Sequence, residues 1–503
     1  MLTMFSRLDL VFFALMAGLW IVFRGHLLRF FLPLDIASII VLTILAIMLR
    51  VGLAGYYESV DVAFAMAIAG LVIKIPCAFL FGLYQRSKVL QPIELLKQLL
   101  LFALSASILT GMIVLAIQKL GFVQGSFSRI IILVDFLLTF LFFGISRFMF
   151  LGLRKANPSP ADLNRKPLND LRDHWKKWIT DGALYYGIVL GALGIYMVWS
   201  KFVFGTTSPV SGQIKQWWAT LPGRAYGGTS RDILSFFGLS YITEENAWSP
   251  VSELIGHWAE NMYRILKIED VWRYLILLAL FAIVFYLILL TNRHKGKIAV
   301  TQMSLIPLLC SAWLQVLYYN ALKYAGHKEW YWVSQLVIIV LTISLILGLI
   351  YTLIRKFPYR SILAWGLAAY IGFSLGLSFW NTIRQSMPYH YWSADAPYMD
   401  IVPLLEAHTE PGSIIGLTGG GNVAYFIHDR TIVNMDGLIN SYAYFQALQS
   451  RQGGQYLQKI GLDYVLANPV ILDQQPYKGQ FNEYLEPQKV YYGGKQLMHY
   501  RVP

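Results

Sequence analysis

Four charged residues stand where the chain could carry out acid–base and phosphate chemistry. Glu58 and Asp61 lie between two long apolar runs, in the segment YYESVD at residues 56–61. A carboxylate can take a proton from a hydroxyl group. Lys215 and Arg224 lie in a longer segment, residues 200–270, and their cationic groups fit phosphate oxygens. These are the residue types that proton transfer and phosphate binding require.

Each of these residues also has an interpretation without chemistry. Glu58 and Asp61 could be solvated loop charges, and Asp61 could cap the helix that follows, because Asp at a helix start accepts bonds from free backbone N–H groups. A lysine near a membrane surface, such as Lys215, often contacts lipid headgroups. Lys74 lies inside an apolar run, and an ionisable residue in such a run is a candidate for a functional role. Snorkelling or pairing inside a helix bundle explains Lys74 equally well.

Other motifs favour structural interpretations. Trp217, Trp218, Trp248 and Trp258, like the run EWYW at 329–332, fit an aromatic belt at a membrane interface better than sugar stacking. The run GLTGGGN at 416–422 matches neither GxGxxG nor a P-loop. It therefore predicts a tight turn from strand to helix, or a surface that faces the membrane site. Asn434 and Asp436 are predicted turn residues on similar grounds. The nine histidines lack zinc-binding spacing, so we predict no metal and no cofactor.

The elements that would position these residues are membrane helices. Of 503 residues, 56% are hydrophobic and 14% are charged, whereas soluble proteins have about 25% charged residues. The run 10–23 is shorter than a typical span and could cross the membrane with strain, re-enter, or lie in the interface. Nine apolar runs are long enough, or nearly long enough, to span a bilayer: 35–53, 62–84, 95–119, 130–153, 182–199, 272–290, 299–322, 331–354 and 361–380.

Basic residues in the connections indicate the orientation of these spans. Residues 154–178 contain seven Lys and Arg, and the connections 293–297 and 355–360 are also basic, which is typical of cytoplasmic loops. The segments 200–270 and 382–503 then lie outside, together with 54–61, 120–129 and 323–330. Both long outer segments are slightly acidic. The net charge of +13 is therefore an orientation signal, and we predict no nucleic-acid partner.

The tail has the pattern of a small α/β domain. Strand-like runs at 413–417, 431–435, 464–467 and 489–492 alternate with helical patterns at 399–407 and 442–449. A further helix is predicted at 250–266, within the outer loop. We predict a polytopic α-helical membrane protein of about 9–10 spans with an extracytoplasmic α/β domain. Its predicted parts are a membrane segment (1–155), a basic cytoplasmic linker (156–180), a second membrane segment (181–394, with the outer loop 200–270) and the α/β domain (395–503).

Three motifs in residues 34–155 carry a first resemblance: FGLYQR at 81–86, SRIIILVDF at 128–136 and GISRF at 144–148. This part resembles the N-terminal membrane segment of bacterial nucleotide-sugar dehydratases of the capsule-polysaccharide type. In that family a dinucleotide-binding domain follows the fourth span. Here a basic linker and another span follow, without GxGxxG. The resemblance therefore implies a membrane segment without the dehydratase chemistry.

Four motifs in residues 178–503 carry a second resemblance: FGTTSPVSGQIK at 204–215, EWYW at 329–332, TGGGN at 418–422 and VNMDGL at 433–438. This half is similar to the C-terminal part of bacterial GT-C type glycosyltransferases. The resemblance implies a plasma-membrane enzyme that transfers sugar from a polyprenyl-phosphate carrier on the outer face, in envelope-polysaccharide biosynthesis. It implies Glu58 or Asp61 as the base, and Lys215 with Arg224 as the phosphate ligands.

Two other function classes stay open. The joining of two partial modules also predicts a non-enzymatic membrane scaffold that gathers other polysaccharide-biosynthesis proteins. A transporter of lipid-linked sugars would need charged residues along paired broken helices, and Lys74 is the residue that points to this class. The expected partners are membrane lipids, a polyprenyl-phosphate-linked sugar and other polysaccharide-biosynthesis proteins.

Overall fold

The computed structural model of the chain is mostly helical. It describes residues 10–23, 28–84, 92–123, 127–153, 167–228, 230, 232–240, 246–266, 270–291, 304–386, 401–438 and 440–501. Three predicted segments fall outside the described residues, wholly or in part. They are residues 156–166 of the cytoplasmic linker, the basic connection 293–297, and residues 395–400 at the start of the α/β domain.

Helices fill the part of the chain that precedes the sheet. A 3-10 turn, Glu329–Trp332, comes just before α12. In chain order the helices are α1 (Leu10–Val22), α2 (Leu28–Glu58), α3 (Val60–Leu80), α4 (Pro92–Lys119), α5 (Ile130–Leu153), α6 (Pro167–Phe204), α7 (Val210–Thr220), α8 (Ile233–Phe236), α9 (Val251–Leu266), α10 (Asp270–Thr291), α11 (Leu305–Ala321), α12 (Val333–Leu353) and α13 (Arg360–Ser386).

Seven of the described helices are long and apolar enough to cross a membrane, by length and composition: Leu28–Glu58, Val60–Leu80, Pro92–Lys119, Ile130–Phe150, Arg172–Phe204, Trp330–Leu353 and Arg360–Asn381. Shorter apolar helices lie at Val11–Val22, Ala279–Leu290 and Leu305–Ala321. The last two correspond to the predicted spans 272–290 and 299–322. The 13 residues of α1 extend about 20 Å, less than the roughly 30 Å hydrocarbon core. The helices are compatible with the predicted polytopic membrane protein.

The chain divides into two compact units. The first unit comprises residues 1–193, 230–322 and 327–356, and the second comprises 194–229, 323–326 and 357–503. In the first unit, α3 packs against α2 and α4, and α5 packs against α2 and α4. Small residues permit close contact there, because a Cβ on Gly111 would lie 2.4 Å from Ile132 Cδ1. The helix α2 is kinked at Gly52, which has a φ of +73°, at the end of the predicted span 35–53.

The second unit contains a five-stranded mixed sheet. The strands are β1 (Ile414–Leu417), β2 (Thr431–Asn434), β3 (Tyr464–Ala467), β4 (Leu485–Tyr492) and β5 (Lys495–Tyr500), in the order β2-β1-β3-β5-β4. The first three are parallel, and β5 runs antiparallel to β3 and β4. The helices of this region are α14 (Ile401–His408), α15 (Gly421–Phe426), α16 (Tyr442–Gln449), α17 (Gly453–Lys459) and α18 (Pro469–Leu472).

The core of the second unit also includes part of the long loop. Ile214 and Trp218 of α7 are buried in one cluster with Ala325 and Phe445. The Ala225 N–H donates to the Gln475 carbonyl at 2.8 Å. Residues 210–226, 323–326 and the tail therefore fold as one body.

Candidate functional site

Glu58 and Asp61 lie together at the junction between α2 and α3. Glu58 is the last residue of α2, and Asp61 lies in the first turn of α3; both side chains are exposed. The N-cap residue is Ser59, so Asp61 does not cap the helix, although its charge is favourable near a helix N-terminus. Tyr56 is buried and packs edge-to-face on Phe236 at 5.4 Å between ring centroids. This contact anchors the junction within the first unit.

Lys215 is buried in the second unit, where it ties α7 to residues 323–326. Its ammonium Nζ donates to the Gly326 carbonyl at 2.6 Å, and the Ala325 N–H donates to the Lys215 carbonyl at 3.1 Å. Only 8% of the residue is exposed. The packing therefore fixes the position of one cationic group that the sequence singled out.

A buried carboxylate, Asp436, faces the same region from the carboxyl end of β2. It is 4% exposed and accepts bonds from the Gly419 N–H at 3.1 Å and the Leu438 N–H at 3.2 Å. Burial raises the pKa of Asp436, while these hydrogen bonds and the positive charge of Lys215 act in the opposite direction. The structure thus brings Lys215 within electrostatic reach of a carboxylate that the sequence indicated merely as a turn residue.

The glycine-rich run 416–422 forms the predicted turn between β1 and the short helix α15. One of its N–H groups, that of Gly419, is occupied by Asp436. Such loops lie at the carboxyl ends of parallel strands, where α/β sheets commonly bind ligands. Here the Gly419 N–H is bonded to a carboxylate of the protein itself.

The turn after Asp436 brings it close to α7. Gly437 has a φ of +80°, and a Cβ there would lie 2.8 Å from Ile214 Cδ1. Glycine adopts this backbone conformation without steric cost. The requirement for glycine at residue 437 follows from both the turn and the close approach of α7.

Aromatic residues pack in the same part of the second unit. The Trp218 ring stacks on Tyr226 at 4.2 Å between centroids, and the hydroxyls of Tyr226 and Tyr477 are hydrogen-bonded. Burial raises the pKa of both tyrosines, and the charge of Asp436 adds to this effect. Trp218 is 2% exposed, so it is a core residue of the second unit, which fits neither an interfacial belt nor an open sugar platform.

Arg224 has a local structural contact. Its guanidinium Nη1 donates to the carbonyls of Ala219, at 3.0 Å, and Leu221, at 3.4 Å. These carbonyls lie at the end of α7, where a cation satisfies unpaired acceptors and complements the helix dipole. Lys215 and Arg224 thus belong to one unit but bond to different carbonyls. Glu58 and Asp61 belong to the other unit.

Sequence reasoning missed the partner of Lys74. Its ammonium donates to Asp135 Oδ1 at 2.7 Å and to Thr139 Oγ1 at 2.8 Å, and the Ser107 hydroxyl donates to Asp135 Oδ2 at 2.6 Å. Both charged side chains are fully buried. Pairing within the helix bundle is therefore the interpretation of Lys74 that the structure supports.

A second buried ion pair joins α2 to α5. The Arg147 guanidinium donates to both carboxylate oxygens of Asp35, and the Tyr84 hydroxyl donates to Asp35 Oδ2 at 2.7 Å. Arg147 also lies over the Phe31 ring at 4.2 Å. The sequence signal for both pairs was an ionisable residue inside an apolar run, which carries no information about its partner.

Within the described part of the chain, no group of three His, Cys, Asp or Glu side chains could hold a metal ion. No protein-family model, curated protein or solved structure matches this chain.

Proposed function

We propose that this chain is a GT-C-like glycosyltransferase of the bacterial plasma membrane. In this proposal it transfers a sugar from a polyprenyl-phosphate carrier to an acceptor hydroxyl on the outer face, in envelope polysaccharide or glycoconjugate biosynthesis. The observation that supports it most is the second unit, in which the long loop and the tail together bury Lys215, and in which the Lys215 charge acts on the pKa of the buried Asp436. Such a unit offers a fixed cation for a lipid-linked phosphate.

The order of the helices supports a common side of the membrane for these segments. Two helices, α10 and α11, separate the long loop from residues 323–326, and two more, α12 and α13, separate those residues from the tail. If each helix crosses, an even number of crossings returns the chain to the same side every time. The packing of the three segments in one unit agrees with that parity. The outer side itself remains the prediction from the basic loops.

The proposed reaction is a single displacement at the anomeric carbon. The acceptor oxygen forms a bond to that carbon, the bond from the carbon to the phosphate oxygen breaks, and polyprenyl phosphate leaves. Asp61 or Glu58 takes the hydroxyl proton. Lys215, with Arg224, stabilises the charge of the departing phosphate.

Site variants test this assignment in membranes supplied with a radiolabelled polyprenyl-phosphate sugar. Loss of the base, by Asp61→Asn or Glu58→Gln, should lower transfer about 100-fold or more for the residue that acts. Lys215→Ala should also lower transfer. Lys201→Ala is the matched control, because Lys201 lies in the same unit and also donates to a carbonyl, that of Gly205 at 2.8 Å, but is exposed. Unchanged transfer in all three site variants would refute the site.

A second candidate function, the membrane scaffold, is favoured by one observation. Lys215 and Arg224 both donate to backbone carbonyls, as cations with a purely structural role do. A scaffold predicts that Lys215→Ala lowers the stability of the protein, that wild-type membranes transfer no sugar, and that polysaccharide-biosynthesis enzymes still co-purify with the chain. Transfer by the wild type would exclude a purely non-enzymatic scaffold.

A further inference from the structure

The first unit has an apolar groove between α3 and α4 that carries one carboxylate at its end. On α3 the lining residues recur at helical spacing along one face: Asp61, Phe64, Ala65, Ile68, Ala69 and Val72. On α4 the groove is lined by Ile113 and Ile117, and Phe122 and Val123 follow that helix. Asp61 is the charged residue of this lining.

The size of the groove matches one lipid chain. Its volume is about 460 Å³. From Asp61 to Val72 the helix rises about 16 Å at about 1.5 Å per residue, which is roughly half of the 30 Å hydrocarbon core. A groove of this length reaches from one membrane surface to about the middle of the bilayer, and its occupant is therefore a hydrocarbon chain from one leaflet.

Small residues make the groove concave. Ala65 and Ala69 form its floor, whereas Phe64, Ile68 and Val72 are largely exposed along it. Because α3 is a candidate membrane span, these exposed apolar side chains face hydrocarbon. A larger side chain at residue 65 would occupy part of the groove.

The charge at the end of the groove discriminates between lipids. An ionised carboxylate accepts a hydrogen bond from a hydroxyl but repels a phosphate. A donor lipid carries phosphate next to its chain, so Asp61 disfavours the donor here. We propose that the groove binds the hydrocarbon chain of a hydroxyl-bearing lipid and that this lipid is the acceptor. The acceptor role rests on the proposed function; the binding of a hydroxyl-bearing chain does not.

Photo-crosslinking tests the groove without an activity assay. Purified full-length protein in phosphatidylcholine nanodiscs is titrated with a diazirine-bearing long-chain alcohol, and labelled peptides are identified by mass spectrometry. We expect saturable labelling of α3 and α4 peptides. Ala65→Leu, which fills the groove, should lower it about tenfold. The matched control is Ala116→Leu, because Ala116 is exposed on α4, next to Ile117, and does not line the groove.

Headgroup selectivity is the second readout. The monophosphate ester of the same alcohol should label more weakly than the alcohol, and Asp61→Asn should remove the difference. Stronger labelling by the phosphate ester would assign the groove to a donor chain and overturn the proposal. Equal, non-saturable labelling by a diazirine phosphatidylcholine would mean bulk lipid and would also overturn it. If Ala65→Leu does not fold, Ile117→Trp fills the same groove from α4.

The two proposals can fail separately. Saturable labelling without sugar transfer would refute the glycosyltransferase and the acceptor role but leave the lipid site in place. Sugar transfer without saturable labelling would refute the lipid site and leave the glycosyltransferase in place.

Discussion

The two units of the molecule satisfy their buried charges in different ways. In the first unit, buried charged side chains pair with each other, Lys74 with Asp135 and Arg147 with Asp35. In the second unit, the buried charged side chains bond to the backbone: Lys215 donates to the Gly326 carbonyl, and Asp436 accepts from two N–H groups.

The difference follows from the secondary structure. In a long helix the interior backbone groups are already bonded within the helix, so a buried charge finds its partners in the side chains of other helices. The second unit has turns and helix ends whose backbone groups lack partners in regular structure. A buried charge there can complete the backbone hydrogen bonding, as Lys215 and Asp436 do.

The largest expected effect comes from breaking a pair in the first unit. Lys74→Met leaves Asp135 buried without its ion partner and should lower the free energy of unfolding by about 3 kcal/mol or more. The double variant Lys74→Met/Asp135→Leu should recover most of this loss. Thermal unfolding in detergent measures both, and Lys97→Met on the exposed face of α4 is the control. A double variant as unstable as the single one would contradict the pairing account.

In the second unit, the contact between α7 and the Asp436 turn can be tested at Gly437. Gly437→Ala adds left-handed strain of roughly 1–2 kcal/mol and a clash with Ile214 that adds about 1–3 kcal/mol. Gly479 has a similar φ, +73°, with open space around it. Gly479→Ala therefore measures the cost of the left-handed backbone conformation without a clash. Chemical denaturation of the two variants should show the larger loss for Gly437→Ala. Equal losses would mean that α7 does not press on this turn.

A smaller effect is expected at the end of α7. Arg224→Ala removes the cation that bonds to the last carbonyls of the helix and should cost about 0.3–1 kcal/mol. Arg224→Lys should retain part of this stabilisation. Thermal unfolding of the two variants measures the difference. A cost several times larger would show that the residue has more than a helix-capping role.

The smallest expected effect is a pH dependence due to Asp436. Its pKa is raised in the folded protein, so the folded state binds the proton more tightly than the unfolded chain does. Acidification from neutral pH toward the ordinary pKa of aspartate should therefore stabilise the wild type relative to Asp436→Asn. Urea unfolding of both proteins across this range measures the difference. If acidification instead stabilised Asp436→Asn relative to the wild type, the effect of Lys215 on the pKa of Asp436 would be larger than the effect of burial.

The local pattern of the sequence predicted much of the fold. Membrane-length helices follow from apolar runs, and the strands at 414–417, 431–434 and 464–467 lie where the strand-like runs predicted them. The strand β4 begins at Leu485, four residues before the predicted run, and β5 was not predicted, because Lys495–Tyr500 contains polar residues and lacks a continuous apolar run.

The candidate site was less predictable, because its contacts join distant parts of the chain. Lys215 and Asp436 are 221 residues apart, and Lys74 and Asp135 are 61 apart. The sequence marks Lys74 as unusual by its apolar neighbours, but its partner is decided by the packing of α3 and α5 against the same two helices, α2 and α4. On α3 the groove corresponds to residues at helical spacing, 61, 64, 65, 68, 69 and 72. Its concave shape depends on α4 as well.

The most direct test of the account is the release of polyprenyl phosphate by the purified wild-type protein. The protein is reconstituted in liposomes with a labelled polyprenyl-phosphate sugar, with and without a hydroxyl-bearing lipid acceptor. We expect acceptor-dependent release with equal sugar incorporation, lost in Lys215→Ala and retained in Lys201→Ala. Folded wild-type protein that releases no polyprenyl phosphate from any such donor would contradict it.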